Sequence, residues 1–261
     1  MTIKLDGVKV SYECAGSGDT IVLLHGWGGS ALSFKPVFDY LSKSYRVYAL
    51  DFPGFGNSDI PPQPWGTEDY GNFIMKFFNK MVIEKTNIIA HSFGGRVAIW
   101  VAANFPEKIN KLVLVNSAGI KPERTLKYHI KVRIAKTGKQ IFSSSIFGKY
   151  GESLLNRLYQ LIGSKDYQQQ TGIMRSTLVK IVNEDLRTFL SKIIAPTLLI
   201  WGENDKDVPL IYAKIMEKEI KDAGLVVLKG AGHFSYLDRF SDFCLIVSKF
   251  FGIKEDVKSY G

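Results

Sequence analysis

The chain has 261 residues, 46% hydrophobic and 23% charged, with 34 basic against 25 acidic residues and a net charge of +9. That length suits one large α/β domain, with or without an insertion, and buries roughly three quarters of the unfolded surface. No apolar run approaches the ~20 residues of a bilayer span, and Met1 to Asp6 lacks the apolar stretch of a secretory signal.

Ile3 to Leu5 and Val8 to Glu13 alternate around Asp6-Gly7 and predict a hairpin with a tight turn. Ile21 to Leu24 is a buried-strand run that ends in His25-Gly26-Trp27-Gly28-Gly29, and Leu32 to Leu41 follows with helical spacing. Arg46 to Asp51 is a second buried strand, leading into Phe52-Pro53-Gly54-Phe55-Gly56-Asn57-Ser58 and a proline-rich loop over 60–64. A helix is expected over 67–82, then a strand over 87–91, a helix to Asn104 and a strand over 112–115. Between Lys121 and about Leu190 the strand rhythm stops and several helices are expected. It resumes with a strand over 197–201, a helix over 209–222, a strand over 225–229 and a helix over 236–251. Short apolar strands alternating with amphipathic helices imply a parallel sheet covered on both faces.

The charge is not spread along the chain. Residues 121–187 hold 13 basic and 5 acidic residues, so this stretch alone carries +8, and the remainder is nearly neutral. The excess basicity raises nucleic acid, anionic membranes or acidic substrates as partners. Nucleic acid has no recognition motif here, and four scattered histidines give no zinc-ligand spacing. Cys14 and Cys244 form no metal or disulfide pattern, and their scarcity fits a reducing compartment, so a cytoplasmic location is expected.

The chemistry centres on Ala90-His91-Ser92-Phe93-Gly94-Gly95. An apolar strand ending in a serine, followed at once by glycines and an alanine-rich helix, is the layout of a sharp strand-to-helix turn. Such a turn lifts the serine oxygen above the sheet edge. The plainer reading is a serine that merely caps a helix. A serine is a poor nucleophile without a base in reach. His91 points to the other face of its strand, His25 ends the first buried strand and His129 lies in the helical stretch. His233, in Gly230-Ala231-Gly232-His233-Phe234 just past the last strand, arrives above the same edge as Ser92. The imidazole then needs a carboxylate, and the turn after the penultimate strand offers Glu203, Asp205 and Asp207. Residue chemistry alone leaves these three open.

Five stretches in order carry a family resemblance: His25-Gly26-Trp27-Gly28, Asp51 to Ser58, His91 to Gly95, Trp201-Gly202-Glu203-Asn204-Asp205 and Gly232-His233. Over residues 5 to about 250 the chain resembles the α/β-hydrolase superfamily, in its branch of cap-bearing esterases, lactonases, C–C bond hydrolases and iminopeptidases. The resemblance implies a mostly parallel eight-stranded sheet with helices on both faces and a helical cap inserted after the sixth strand. The core would span 1–120 and 191–261, and the cap 121–190. The family's order of catalytic residues implies Ser92, Asp205 and His233, and its Trp-Gly-x-x-Asp-x-x-x-Pro pattern favours Asp205 over Asp207. The oxyanion hole would use the amides of Trp27 and Phe93, and Gly26 and Phe234 are pocket candidates. His25 and Asp51 would brace loops. No metal or organic cofactor is implied. Two departures stand out: Ala90 replaces the first glycine of the turn, and Asp238-Arg239-Phe240 replaces an acid followed by proline.

The activity so implied is hydrolysis of a carboxylic ester or related acyl bond through an acyl-enzyme. C–C bond hydrolysis, aminopeptidase and cofactor-free peroxidase chemistry share the same machinery. A Gly-Asn-Ser turn and a tryptophan soon after the histidine, found in the C–C hydrolases, are absent here. A non-catalytic ligand receptor on the same fold usually lacks a triad residue, whereas all three positions are filled. Gly26 to Ala31 also matches a dinucleotide fingerprint, with Asp51 one βαβ unit later. Against that reading, Trp27 is bulky where a pyrophosphate should lie, and the late Asp and His go unexplained. In the basic stretch, Ile130, Ile134, Ile141, Phe142, Phe147, Leu154, Leu158, Leu161 and Met174 are expected mostly to pack. Its basic residues are expected mainly to face solvent. Arg133, Lys136 and Lys139 are the candidates to reach inward toward an anionic acyl substrate.

Overall fold

The computed structural model describes residues 1–123, 130, 132–134, 137, 138, 140, 141, 150, 153, 154, 157 and 165–253. His129, Lys136, Lys139, Phe142, Phe147, Leu158 and Leu161 lie outside them. Eight strands form one sheet in the order β1-β2-β4-β3-β5-β6-β7-β8. β1 (Thr2–Leu5) and β2 (Val8–Ala15) make the expected hairpin, with Asp6 at φ 48° and Gly7 at φ 87°. Two consecutive left-handed residues are what a type I′ turn requires, and Asp-Gly reaches them at low cost. β2 runs antiparallel to β4 (Arg46–Leu50). All other pairs, among β3 (Thr20–Leu24), β4, β5 (Thr86–His91), β6 (Ile109–Val115), β7 (Thr197–Gly202) and β8 (Ala223–Leu228), are parallel. Their C-terminal ends therefore share one edge, where His25, Ser92, Asn116, Asp205 and His233 all follow.

Each central strand is buried on both faces, which is why it reads as a continuous apolar run. Val22, Leu24, Ile88, Ala90, Leu112, Leu114, Leu199 and Trp201 point to one side. They pack there with α2 (Thr67–Lys80), α3 (Phe93–Asn104) and α7 (Leu210–Glu219). Their neighbours Ile21, Leu23, Ile89, Val113, Val115, Leu198 and Ile200 point to the other side, against α1 (Lys35–Leu41) and α9 (Phe240–Phe251). The helix expected over 236–251 is broken at Arg239 (φ −129°, ψ 53°) into α8 (Ser235–Asp238) and α9. Among the described residues no helix is long and apolar enough to cross a membrane.

The helical stretch lies between β6 and β7, as expected. Its described helices are α4 (Lys165–Gln169), α5 (Gly172–Asn183) and α6 (Arg187–Leu190). The burial there differs from the sequence expectation. Ile130, Ile134, Ile141 and Leu154 are exposed, whereas Met174, Ile181, Leu186 and Leu190 belong to the main core. Residues 172–190 thus share the body's packing. Polar contacts hold them there as well. Trp65 N donates to Thr177 Oγ1 at 3.1 Å, Leu186 N to Gly119 O at 2.8 Å, and Arg96 Nη1 to Glu184 O at 3.1 Å. Arg96 is buried in α3, and desolvation pushes its pKa down to about 10 against the pull of Glu184 and Asp185. It sits at the C-terminus of α5, where a cation suits the helix dipole.

Glu184 also reaches the other way. α2 begins after Gly66, which has no side chain to cap it, and Asp69 accepts from Gly66 N at 2.7 Å. The next free donor, Thr67 N, gives its hydrogen to Glu184 Oε2 at 3.0 Å, and the Thr67 hydroxyl donates to the same oxygen. A distant carboxylate therefore completes the helix start. Glu184→Ala leaves the buried Thr67 amide unpaired and is expected to destabilise the fold by about 1–2 kcal/mol, comparable to loss of an N-cap. A lower urea midpoint with an unchanged slope is the signature, and an unchanged midpoint would show the contact to be idle.

Candidate active site

Ser92 stands between β5 and α3 with φ 50° and ψ −110°. A non-glycine residue in that region costs of order 1–3 kcal/mol and persists only when its surroundings enforce it. The enforcement is visible. Ser92 N donates to Val115 O at 3.1 Å and Ala118 N donates to Ser92 O at 3.0 Å, which ties the turn to the end of β6. A β-carbon at Gly94 would collide with the carbonyls of Leu24 and His25, and one at Gly95 with Ser117. Only glycines let the backbone of α3 approach that closely. Ser92 occupies the N-cap position but its side chain makes no capping hydrogen bond, so the hydroxyl is not spent on the helix. Ala90 is fully buried in β5, paired with Leu24 and Leu114, and a methyl group fits there.

His233 and Asp205 are brought together on the same edge. His233 Nδ1 and Asp205 Oδ2 are 3.0 Å apart, with the imidazole proton on Nδ1 donating to the carboxylate. Of the three acids that the sequence left open, Glu203 instead accepts from Gly230 N at 3.0 Å. Asp207 is exposed, and its amide donates to Asp205 Oδ1 at 2.8 Å. Val208 N donates to the same oxygen at 3.0 Å, and Asn116 Nδ2 to Asp205 Oδ2 at 2.6 Å. Burial alone would raise the Asp205 pKa. The hydrogen bonds from His233, Val208 and Asn116 outweigh it and hold the carboxyl below its ordinary range.

Several contributors were not read from the sequence. Asn116, at φ 44° just past β6, bridges Asp205 to Gly232 O (3.3 Å), and Ser235 Oγ donates to its side-chain carbonyl. Its signal was an asparagine at a strand end, a residue that tolerates left-handed backbone. His91 was set aside because it faces away from Ser92. It does face away, yet its ring lies 4.7 Å from that of His233, and its Nε2 donates to His233 O at 2.9 Å. Asp238, in one of the two departures from the family pattern, accepts from Gly232 N at 2.7 Å and so fixes the turn that carries His233. Asp166 in α4 feels this edge too. Lost hydration and the Asp207 carboxylate raise its pKa, while His233 lowers it.

Phe93 opens α3, so no carbonyl one turn earlier takes its N–H. Among the described residues no loop hydrogen bond uses the Trp27 amide. The Trp27 and Phe93 rings meet edge to face at 5.4 Å. Gly26 is pressed against the turn at Ser92: a β-carbon there would stand 2.7 Å from His91 Nδ1 and 3.3 Å from Ser92 Cβ. Phe234 is half exposed beside the His91 and His233 rings.

His25 and Asp51 are bracing groups. His25 Nδ1 donates to Gly26 O at 2.7 Å and Nε2 accepts from Phe52 N at 3.0 Å. Asp51 accepts from Ala31 N at 2.7 Å and Asn57 N at 2.8 Å. This weighs against dinucleotide binding at 26–31. Asp51, which a ribose would need, is already bound to the Ala31 and Asn57 amides. Asp205, Asp207 and His233 could together offer three ligand atoms to a cation. Both Asp205 oxygens and His233 Nδ1 are already engaged with one another or with amides, so a metal there would compete with the pair.

The chain matches the family model described as alpha/beta hydrolase fold over residues 19–240. It is 26% identical to the pimeloyl-[acyl-carrier protein] methyl ester esterase of Aeromonas hydrophila, over 94% of this chain and 100% of that protein. It is 24% identical to the 2-hydroxy-6-oxo-6-phenylhexa-2,4-dienoate hydrolase of Comamonas testosteroni, over 92% and 90%. The crystal structure of the enol-lactonase from Burkholderia xenovorans LB400 superposes with a TM-score of 0.75 at 22% identity, covering 97% of this chain and 100% of that one. The eight-stranded sheet, the turn at Ser92 and this match agree: the chain belongs to the alpha/beta hydrolase fold family.

Proposed function

We propose that the protein is a serine hydrolase that cleaves a carboxylic ester or related acyl bond through Ser92, His233 and Asp205. The observation that carries this reading is the strained Ser92, with its hydroxyl free of the helix, on the same sheet edge as a closed His233–Asp205 pair. The esterase relative is consistent with it. Ser92 Oγ attacks the substrate carbonyl while His233 Nε2 takes its proton. Asp205, held ionised, keeps the other imidazole proton on Nδ1 and stabilises the imidazolium. The amides of Trp27 and Phe93 receive the oxyanion. His233 then protonates the leaving group, and a water activated by the same ring hydrolyses the acyl-enzyme. An anionic acyl substrate is what the basic stretch suggests. Asp166 opposes it, since this carboxylate acts on the same edge.

A fluorophosphonate should label the wild-type protein and leave Ser92→Ala unlabelled, and a chain-length series of p-nitrophenyl esters should then locate the acyl preference. A folded wild-type protein that resists labelling would sink the proposal. Asn116 is expected to act by positioning. Asn116→Gly keeps the left-handed backbone and removes the side chain, so it isolates the bonds to Asp205 and Gly232. A hydrogen bond to a charged group is worth about 1.5–3 kcal/mol, so kcat should fall roughly 10- to 100-fold with KM little changed. Equal loss in KM would assign Asn116 to binding instead.

Burial lowers His25 to about 4, against Gly26 O and Asp51. Burial and then the charge of His233 lower His91 to about 3, against the His233 carbonyl and Asp205. As pH falls below the ordinary histidine value, the unfolded chain takes up protons that the folded chain refuses, so stability drops. Each ring contributes about 1.4 kcal/mol per pH unit from pH ~6.5 down to its folded pKa. Urea unfolding at pH 5.5 should give a stability about 2–3 kcal/mol below that at pH 7.5. Equal stabilities would mean that the two rings accept protons in the folded state.

A further inference from the structure

The isoleucines of the basic stretch, expected to pack, face solvent instead. The described residues within 130–141 are all helical, and among them Ile130 is 52% exposed, Ile134 46% and Ile141 48%. Their spacing of i, i+4 and i+11 is that of one helix face. Arg133 and Thr137 fall on the same face and are exposed too, whereas Gly138 is buried and Val132 half-buried. A second exposed face of this kind follows at Tyr150, Ser153, Leu154 and Arg157, spaced i, i+3, i+4 and i+7. Both are amphipathic in reverse, since a helix lying on a globular body normally turns its apolar residues inward.

A single exposed aliphatic residue needs no account, and Ile211 and Leu245 are examples elsewhere on the surface. Five large apolar residues on two helix faces between 130 and 154 do need one. The charge around them narrows the answer. Residues 124–151 hold seven lysines and arginines and no aspartate or glutamate. Arg133, a candidate to reach inward to an anionic acyl group, points to solvent with the isoleucines. Apolar faces set among cations fit a phase that is anionic at its surface and apolar beneath it. A protein partner fits less well, because lysine is depleted at protein–protein contacts and supplies five of these seven cations.

We propose that this face docks the protein on an anionic lipid bilayer. Ile130, Ile134 and Ile141 enter the boundary between headgroups and acyl chains, and the basic residues meet lipid phosphates. The apolar contact supplies depth, and the charge supplies the preference for acidic lipid. Docking is read without turnover, so it stands or falls separately from the role given to Ser92.

The test is co-sedimentation of the full-length protein with phosphatidylcholine vesicles, with and without phosphatidylglycerol. The bound fraction per lipid should be at least about tenfold greater on the anionic vesicles and should be lost in high salt, which screens the surface charge. Replacing Ile130, Ile134 and Ile141 together by glutamine keeps every charge and removes only exposed side chains, and an unchanged urea midpoint checks the fold. This variant should bind the anionic vesicles about tenfold less or weaker still. In Ile134→Trp, lipids brominated in the acyl chain should quench the added fluorescence. A wild-type protein that ignores anionic vesicles, or binds both kinds equally, would overturn the proposal. Unchanged binding by the triple variant would overturn it too, by reducing the contact to charge alone. Self-association that the triple variant abolishes, without vesicle binding, would give the face to a second copy of the chain instead.

Discussion

Ser92 can hold its left-handed backbone only because two neighbouring strands and two glycines leave it no alternative. Val115 and Ala118 grip it from the β6 side, and the backbone of α3 comes down onto Leu24 and His25 from the other. Everything else at the site is arranged relative to that point. The parallel sheet delivers His25, Asn116, Asp205 and His233 to the same edge, and α3 begins there at Phe93. Strain of this size is sustainable because it follows a strand buried along its whole length and is tied to the buried end of β6.

Around Ser92 the polar groups are layered. Asp205 orients His233, Asn116 orients Asp205, and Ser235 orients Asn116, while His91 and Asp238 hold the backbone on which His233 rides. Each member has its hydrogen bonds satisfied by the next, which is the condition under which buried polar networks fix one geometry. The rings of His25 and His91, although close to the reacting edge, are kept neutral by burial and serve as rigid spacers.

The strands were legible because residues buried on both faces leave uninterrupted apolar runs, and the hairpin because Asp-Gly has a turn chemistry of its own. The placement of Ser92 and His233 on one edge followed from parallel topology alone. Asp205 was less legible, since three acids share one short turn and only the fold decides which one faces the imidazole. Asn116, His91 and Asp238 were missed for a different reason. Asn116 and His91 act through contacts across 119 and 142 residues of chain, to Ser235 and His233, and Asp238 through a backbone amide at Gly232, whose identity carries no signal. The packing of 172–190 into the core was hidden likewise. Met174 and Ile181 look no different in sequence from Ile130 and Ile134, which are exposed.

The four donors around Asp205 make its position chemically one-sided. Oδ1 faces two backbone amides and Oδ2 faces an imidazole N–H and the Asn116 amide, so both ends of the side chain meet hydrogens. An asparagine of nearly the same shape would have to turn its NH₂ toward one of these pairs in either orientation. At Oδ2 a change of histidine tautomer would relieve only the clash with His233 and leave the one with the Asn116 NH₂. The site thus distinguishes a carboxylate from an amide by electrostatics where shape cannot, and the isosteric exchange is among the least conservative changes that this edge could suffer.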